Sequence, residues 1–193
     1  MTLLILGLIL FLGTHSVRVF ANGWRTQMQA RLGEGGWKGA YSVLSLLGLV
    51  LIVLGYGAAR ENPTWLWAAP VWTRHLAALL TLVSFVLLAA AYVPGNAIKA
   101  RLHHPMVLGV KVWAFAHLLA NGTLADLLLF GGFLAWAVAA FAAARRRDRA
   151  AGTVYAPGRA LPTGATVVAG MVLWAVFAFW AHGALFGVKP FGG

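Results

Sequence analysis

The sequence has 193 residues, of which 61% are hydrophobic and 10% are charged, and it carries a net charge of +11. Soluble domains are typically about 45–50% apolar and about 25% charged, so this composition, with a mean hydropathy of +0.82, excludes an ordinary water-soluble enzyme, a disordered chain and a coiled coil. The absence of cysteine also excludes disulfides, thiolate metal sites and covalently attached haem c. We therefore expect an integral membrane protein.

Six segments are apolar over about the length that a membrane-spanning helix needs, which is roughly 20 residues with a usual range of about 17–25. In chain order they are 2–20, 39–59, 71–93, 105–120, 124–143 and 165–186. The first has no basic stretch before it and is followed by its positive charges, so we expect a retained helix rather than a signal peptide. The connecting segments are too short for a globular domain. The sequence therefore predicts an all-α integral membrane bundle of about six transmembrane helices, in a single domain over residues 1–193.

Turn residues mark the ends of the middle helices. Pro70 suits the first turn of the third helix, and the Pro-Gly-Asn run at 94–96 ends that helix. The Asn-Gly-Thr run at 121–123 predicts a tight turn between the fourth and fifth helices. Thr123 and Asp126 have the spacing of a capping box, with Asp in place of the usual Glu or Gln. We therefore interpret Asp126 as a helix cap.

The positive charges orient the bundle. Most of the 15 basic residues fall in three alternate connecting segments, 18–38, 97–111 and 145–159. The positive-inside rule places these segments in the cytoplasm and both termini in the periplasm of a bacterial inner membrane. A basic segment next to anionic lipid explains the charge without a nucleic-acid partner, and we expect none.

Histidines are the ionisable residues that the apolar segments do not explain. They are His15, His75, His103, His104, His117 and His182. Ionisable groups inside a membrane are costly and usually functional, and four different predicted helices carry at least one of these. Imidazole suits iron, zinc and copper, whereas the scarcity of carboxylates disfavours a site for hard cations. The pattern favours a cofactor held by histidine.

The predicted depths leave the ligand pair open. With a rise of about 1.5 Å per residue, His15 and His117 differ in depth by roughly 10–15 Å, which suits a porphyrin lying flat between them. A porphyrin standing upright favours His75 with His117 instead, since both lie near the outer face. A small site with three histidine ligands also remains open.

Neighbouring polar residues support two separate sites. Arg18 follows His15 on the same helix face, where it can meet a propionate or phosphate, or else extend to the cytoplasmic surface. Asn121 shares the face of His117. His104 lies on a different face from His117, which predicts a second cluster on the cytoplasmic side.

Several runs resemble the NnrU family of bacterial integral membrane proteins. They are residues 11–18 (FLGTHSVR), 38–45 (KGAYSVLS), 104–122 (HPMVLGVKVWAFAHLLANG), 127–136 (LLLFGGFLAW) and His182 near the end. The resemblance covers nearly the whole chain. It implies an association with denitrification, that is, with nitrite and nitric oxide metabolism, and membrane proteins of denitrification as partners.

The same resemblance extends to the 15-cis-ζ-carotene isomerase, which binds haem b and isomerises a double bond in a redox-dependent way. It implies a haem b here, with His15 and His117 as axial ligands. We keep His75 and His182 as substitute ligands. The isomerase has a cysteine three residues before its second histidine, where this chain has Ala114. A mechanism that exchanges a histidine for that cysteine is therefore absent, and whether the chain is an enzyme stays open between an isomerase and a redox protein.

A second, shorter resemblance favours a different function. The segment from Arg101 through His104 to Pro105 is similar to the Arg-His-Pro segment of membrane methyltransferases that act on isoprenoid or phospholipid substrates. It implies S-adenosylmethionine near Arg101 and His104. However, the paired glutamate segment of those enzymes does not follow in this chain. A simpler interpretation is that His104 and Pro105 begin a helix, and a transporter or purely structural bundle is a third alternative.

Overall fold

The computed structural model describes residues 1–191, and seven helices make up most of them. The helices are α1 (Thr2–Phe20), α2 (Asn22–Glu61), α3 (Val71–Tyr92), α4 (Ala97–Leu102), α5 (Pro105–Ala120), α6 (Leu124–Ala150) and α7 (Ala160–Phe186). A π-helical turn, Phe177–Ala181, interrupts α7. No strand occurs in the described part of the chain, which confirms the all-α class.

The lengths and the apolar composition of the long helices are those of membrane-spanning helices. By length and composition α1, α2, α3, α6 and α7 can each cross a membrane, and α5 is a shorter apolar helix of 16 residues. Each of the six predicted spans coincides with one of these helices to within a residue or lies inside it. Many large apolar side chains face outward, such as Ile9, Leu46 and Val172. Their exposure is the surface expected of helices surrounded by lipid.

The first basic segment is helical, which the sequence analysis did not predict. α2 begins at Asn22, immediately after α1, and its backbone breaks at Gly33, where φ is 69° and ψ is 169°. Glycine tolerates this conformation because it has no Cβ. The break separates a short helix over 22–32 from the spanning part of α2. Trp24 and Leu32 are about half exposed on this short helix, as in helices that lie along a membrane surface.

Glycines bring α1 and α2 into close contact. A Cβ atom added to Gly7 would lie 2.6 Å from the backbone nitrogen of Ile52. One added to Gly48 would lie 2.7 Å from the backbone nitrogen of Phe11. Small residues at these crossing points let the two backbones approach, as is common between membrane helices. The close contact fixes the position of α1, which carries His15.

The helices form a row, and α6 contacts both α1, which carries His15, and α5, which carries His117. α1 packs on α2 and on α6, α5 packs on α6 and on α3, and α3 packs on α7. Therefore α6 lies between α1 and α5, and a seam between these two helices runs along its surface. The cluster of buried apolar residues near the start of this seam includes Leu4, Leu8 and Phe130.

The predicted turn residues lie at the ends of the middle helices. Thr123 and Asp126 form both hydrogen bonds of the capping box that starts α6. Pro70 immediately precedes α3, which ends at Tyr92, before the run at 94–96. Asn96 caps α4 by accepting a hydrogen bond from the backbone of Lys99.

The three basic segments meet at one end of the bundle, called here the basic end. The backbone nitrogen of Arg159 donates to the carbonyl of Gly95 at 2.9 Å, and the Arg147 guanidinium donates to the carbonyl of Arg18 at 3.4 Å. At the opposite end, the backbone of Leu66 donates to the carbonyl of Gly122 at 2.8 Å. The bundle therefore has one strongly cationic end.

Candidate functional site

His117 lies near the end of α5, against α6. Its ring stacks on that of Phe130 with centroids 4.6 Å apart and lies 5.1 Å from the ring of Trp113. Its Nδ1 lies 2.9 Å from the carbonyl oxygen of Trp113. Asn121 donates to the backbone carbonyl of His117 at 2.8 Å. Asn121 thus contacts the backbone of the predicted ligand.

His15 occupies the corresponding position on α1. Its ring stacks on Phe11 with centroids 4.2 Å apart, and it lies 5.3 Å from Tyr41 of α2 and 6.1 Å, edge to face, from Trp136 of α6. Its Nδ1 lies 2.7 Å from the carbonyl oxygen of Phe11. Three helices therefore surround this imidazole with aromatic rings.

The two histidines share one hydrogen-bond arrangement that suits metal binding. A carbonyl oxygen can only accept, so the Nδ1 atoms of His15 and His117 must each carry the proton. In the neutral imidazole the other nitrogen, Nε2, then carries the lone pair. A backbone carbonyl bonded to one ring nitrogen is a common way of fixing the orientation of a histidine ligand. The donor chemistry of both residues fits haem iron.

The two imidazoles lie at different depths along α6. His117 contacts Phe130, and His15 contacts Trp136, six residues further on, which is about 9 Å of helix rise. This offset is slightly smaller than the predicted difference of roughly 10–15 Å. The rings of Phe11, Phe133 and Trp113 link the two sites, with successive centroid distances of 5.7 and 5.5 Å. One iron bound by both imidazoles requires this row of rings to open.

A cavity of about 450 Å³ begins at His15 and extends along α6 to the basic end. α1, α5, α6 and the segment after α6 all contribute to its wall. The lining residues are His15, Arg18, Val19, His104, Val107, Trp136, Ala140, Ala144, Arg147, Asp148, Ala151 and Thr153. His15 and Arg18, which are predicted to share a helix face, therefore both line this cavity. His104 lines it as well, whereas His117 does not.

A hydrogen-bonded cluster closes the basic end of this cavity. The Nε2 of His104 lies 2.7 Å from the Asp148 carboxylate, which also accepts from the Tyr155 hydroxyl at 3.0 Å. The Tyr155 ring stacks on His103 with centroids 4.1 Å apart, and the Arg145 guanidinium contacts the His103 ring. Burial raises the pKa of the Tyr155 hydroxyl, and its hydrogen bond to Asp148 raises it further.

The sequence analysis did not predict Arg145, Asp148 and Tyr155 as partners in this cluster. One signal was present, because Asp148 is the single acid within the arginine run at 145–149. The His104 contact joins residues 44 apart in the chain, which no local spacing reveals. His104 does belong to a second cluster, which lies at the basic end and also borders the cavity of His15.

The remaining predicted ligands lie elsewhere. His75 is exposed near the start of α3. His182 is half-buried in α7, with its Nδ1 2.7 Å from the carbonyl of Val188 and its ring 5.2 Å from that of Phe186. Neither lines the cavity. Within residues 1–191 no three histidine or acidic side chains are grouped so that they could hold a metal ion, and the alternative site with three histidines does not form.

The methyltransferase-like segment is divided between two environments. Arg101 is exposed on α4 and does not line the cavity, whereas His104 does. Pro105 is the first residue of α5, so His104 and Pro105 begin a helix as the simpler interpretation predicted.

Comparison with known proteins identifies the family of the chain. A family model described as NnrU protein matches residues 3–190. No curated protein and no solved structure matches the chain. Because the match spans nearly the whole sequence, and the histidines and aromatic rings of the seam fall within it, the chain belongs to the NnrU family.

Proposed function

We propose that this protein binds haem b in the bacterial inner membrane, in the seam that α1 and α5 form over α6. The observation that carries the proposal is that His15 and His117 make the same hydrogen bond through Nδ1. Each imidazole commits Nδ1 to the carbonyl four residues earlier in its own helix. Each also packs against aromatic rings, which favour a large apolar cofactor.

The chain's own residues have distinct roles in this proposal. His15 and His117 would supply Nε2 atoms to one iron once the aromatic rings between them open. His75 and His182 would be substitutes only if α3 or α7 moves toward the seam. Arg18 lines the cavity with His15 and suits a propionate, which a guanidinium binds through two parallel hydrogen bonds. Asn121 holds the end of α5 through the His117 carbonyl and so positions the ligand. Bound haem would supply redox or Lewis-acid chemistry.

The position of the seam among apolar helices limits the class of substrate that can reach it. The seam lies within apolar helices, so a reactant must be a small gas or a molecule dissolved in the bilayer, such as a polyene. The NnrU resemblance favours nitric oxide and nitrite metabolism, with membrane proteins of denitrification as partners. Ala114 is fully buried where the carotene isomerase has cysteine, so a mechanism that exchanges a histidine ligand for that cysteine would not operate in this chain.

Absorption spectroscopy of histidine variants tests the proposal. The full chain is purified from cells supplied with haem, and the Soret band is recorded for the wild type and for His15→Ala, His117→Ala and His75→Ala. We expect the band to disappear in His117→Ala and to weaken in His15→Ala. His75 is exposed and outside the cavity, so His75→Ala is the matched control and should keep the wild-type spectrum.

Two outcomes would change the assignment. Loss of haem in His75→Ala with an unchanged spectrum in His15→Ala would transfer the ligand role to α3. A colourless wild-type protein that binds S-adenosylmethionine would contradict haem binding and support the methyltransferase alternative at Arg101 and His104.

A further inference from the structure

The cavity beside His15 has positive charges without matching acids. Arg18 and Arg147 both line it, and its one carboxylate belongs to Asp148. That carboxylate already accepts from His104 and Tyr155. Among the ion pairs formed within residues 1–191, none includes Arg18 or Arg147. The two guanidinium groups are therefore not neutralised by the residues around the cavity.

Further arginines add to this positive field. The charges of Arg18, Arg25 and Arg146 all lie close enough to act on Arg147, and the single opposing charge among these neighbours is that of Asp148. The Arg147 guanidinium reaches only a backbone carbonyl, that of Arg18, at 3.4 Å. Like charges held together at a membrane interface raise the free energy of the protein, and a bound anion lowers it. The mouth of the cavity thus favours an anionic group.

The other half of the cavity favours a hydrocarbon chain. Its wall on α6 runs from Trp136 to Asp148, which is about 18 Å of helix axis. Between these ends lie the small apolar residues Ala140 and Ala144, with Val107 on α5 facing the same space. The volume of about 450 Å³ falls within the range of about 300–1,000 Å³ that is usual for small-molecule sites.

We propose that this cavity binds a lipid with a phosphate headgroup. The phosphate contacts Arg147 at the mouth, beside Arg18, and the apolar chain runs along Ala140 and Ala144 toward Trp136. His104 is held away from the phosphate by its hydrogen bond to Asp148. The arrangement needs no haem, so the binding is expected of haem-free protein as well.

The position of the chain gives the inference a functional consequence. The deep end of the cavity is lined by His15 and Trp136, so the far end of a bound chain lies next to the proposed haem ligand. A phosphate-headed lipid in this place is either a substrate of that site or a regulator of access to it. This consequence depends on the proposed function, whereas the binding itself does not.

Lipid binding to the full chain in neutral detergent, followed by native mass spectrometry, tests the proposal. The probes are phosphatidylglycerol, hexadecyl phosphate, phosphatidylcholine and inorganic phosphate. Phosphatidylglycerol or hexadecyl phosphate should bind, and phosphatidylcholine should bind at least about tenfold more weakly, which corresponds to about 1.4 kcal/mol. Inorganic phosphate alone should bind far more weakly, because it lacks the chain. Preference for hexadecyl phosphate assigns the ligand to single-chain lipid phosphates, and preference for phosphatidylglycerol assigns it to bilayer phospholipid.

Three arginine variants complete the test. Arg147→Gln should weaken binding of the anionic lipid by about tenfold or more, and Arg147→Lys should restore much of it. Arg146→Gln is the matched control: Arg146 is exposed and outside the lining, so its charge acts only from a distance and its loss should weaken binding far less than the loss of Arg147. Thermal unfolding and haem content of all three variants should equal those of the wild type. Equal binding of phosphatidylcholine, or equal loss in Arg146→Gln and Arg147→Gln, would overturn the site.

Discussion

The imidazole of His117 stacks on the ring of Phe130, with centroids 4.6 Å apart and an angle of 28° between the planes. This contact begins a series of three histidine positions along α6. His15 lies against Trp136, and His104 reaches Asp148 near the end of the same helix. α6 therefore sets the spacing of the histidines that α1 and α5 contribute, although it has no histidine of its own.

The close contact between α1 and α2 predicts a stability effect of Gly48→Ala. The added Cβ atom would lie 2.7 Å from the backbone nitrogen of Phe11, so one helix must move away. We expect a loss of about 1–3 kcal/mol in the free energy of unfolding, measured by denaturation in detergent micelles. Haem content should fall as well, because α1 carries His15.

Gly57→Ala is the control for this variant. Gly57 also lies in α2, but no atom would lie within 4 Å of its added Cβ. Alanine is the better helix former by about 0.8–1.0 kcal/mol, so this variant should be as stable as the wild type or slightly more stable. Equal destabilisation of Gly48→Ala and Gly57→Ala would contradict the close contact.

The buried carboxylate of Asp126 predicts a second stability effect. The Tyr56 hydroxyl of α2 donates to this carboxylate at 2.5 Å, and Asp126 is only 5% exposed. Tyr56→Phe leaves one buried carboxylate oxygen without that donor, which typically costs about 1–3 kcal/mol. Thermal unfolding of Tyr56→Phe should show this loss, whereas Tyr92→Phe, at an exposed position, should not. An unchanged melting temperature of Tyr56→Phe would show that the hydrogen bond between α2 and α6 contributes nothing to stability.

Tyr155 predicts that stability depends on pH in the alkaline range. Burial, and then the hydrogen bond to Asp148, raises the pKa of its hydroxyl above the usual value of about 10. Above that value the unfolded chain loses this proton while the folded chain keeps it, so the free energy of unfolding falls as pH rises. Melting temperatures from pH 8 to pH 11.5 should fall less steeply in Tyr155→Phe than in the wild type. Parallel curves for the two proteins would refute this contribution.

The absence of native cysteine allows a direct test of the proposed orientation. Asn62→Cys places a thiol in the segment after α2, at the end opposite the basic one, and Ala156→Cys places one in the basic segment after α6. Both positions are exposed. In intact cells a membrane-impermeant maleimide should label only Asn62→Cys, and it should label Ala156→Cys after permeabilisation. The reverse pattern would place the basic end in the periplasm.

Local chemistry explains why the helices could be predicted from the sequence. Apolar length alone located the six spans, and the capping box of Thr123 and Asp126 is a contact between residues three apart. The short helix over 22–32 was missed because its polar residues interrupt the apolar pattern. The end of this helix depends on the non-helical backbone conformation of Gly33. Glycine permits that conformation, but a glycine in the sequence does not by itself predict it.

The candidate site was only partly predictable because its contacts join distant parts of the chain. The spacing of His15 and Arg18 predicts that they share a helix face, and both line one cavity. Nothing in the sequence indicates that Arg147 reaches the carbonyl of Arg18, since these residues are 129 apart. The depth difference between His15 and His117 follows from helix rise, but the aromatic rings that link them are a property of the packed seam.

Haem binding is the central claim, and the haem content of the purified wild-type protein tests it most directly. The protein is isolated from haem-supplied cells, and its haem is quantified as the pyridine haemochrome alongside a reduced-minus-oxidised spectrum. A haem b spectrum, with haem and protein in roughly equal molar amounts, is the expected result if His15 and His117 ligate one iron. Protein that is folded and helical but carries no haem after this preparation would contradict the proposal.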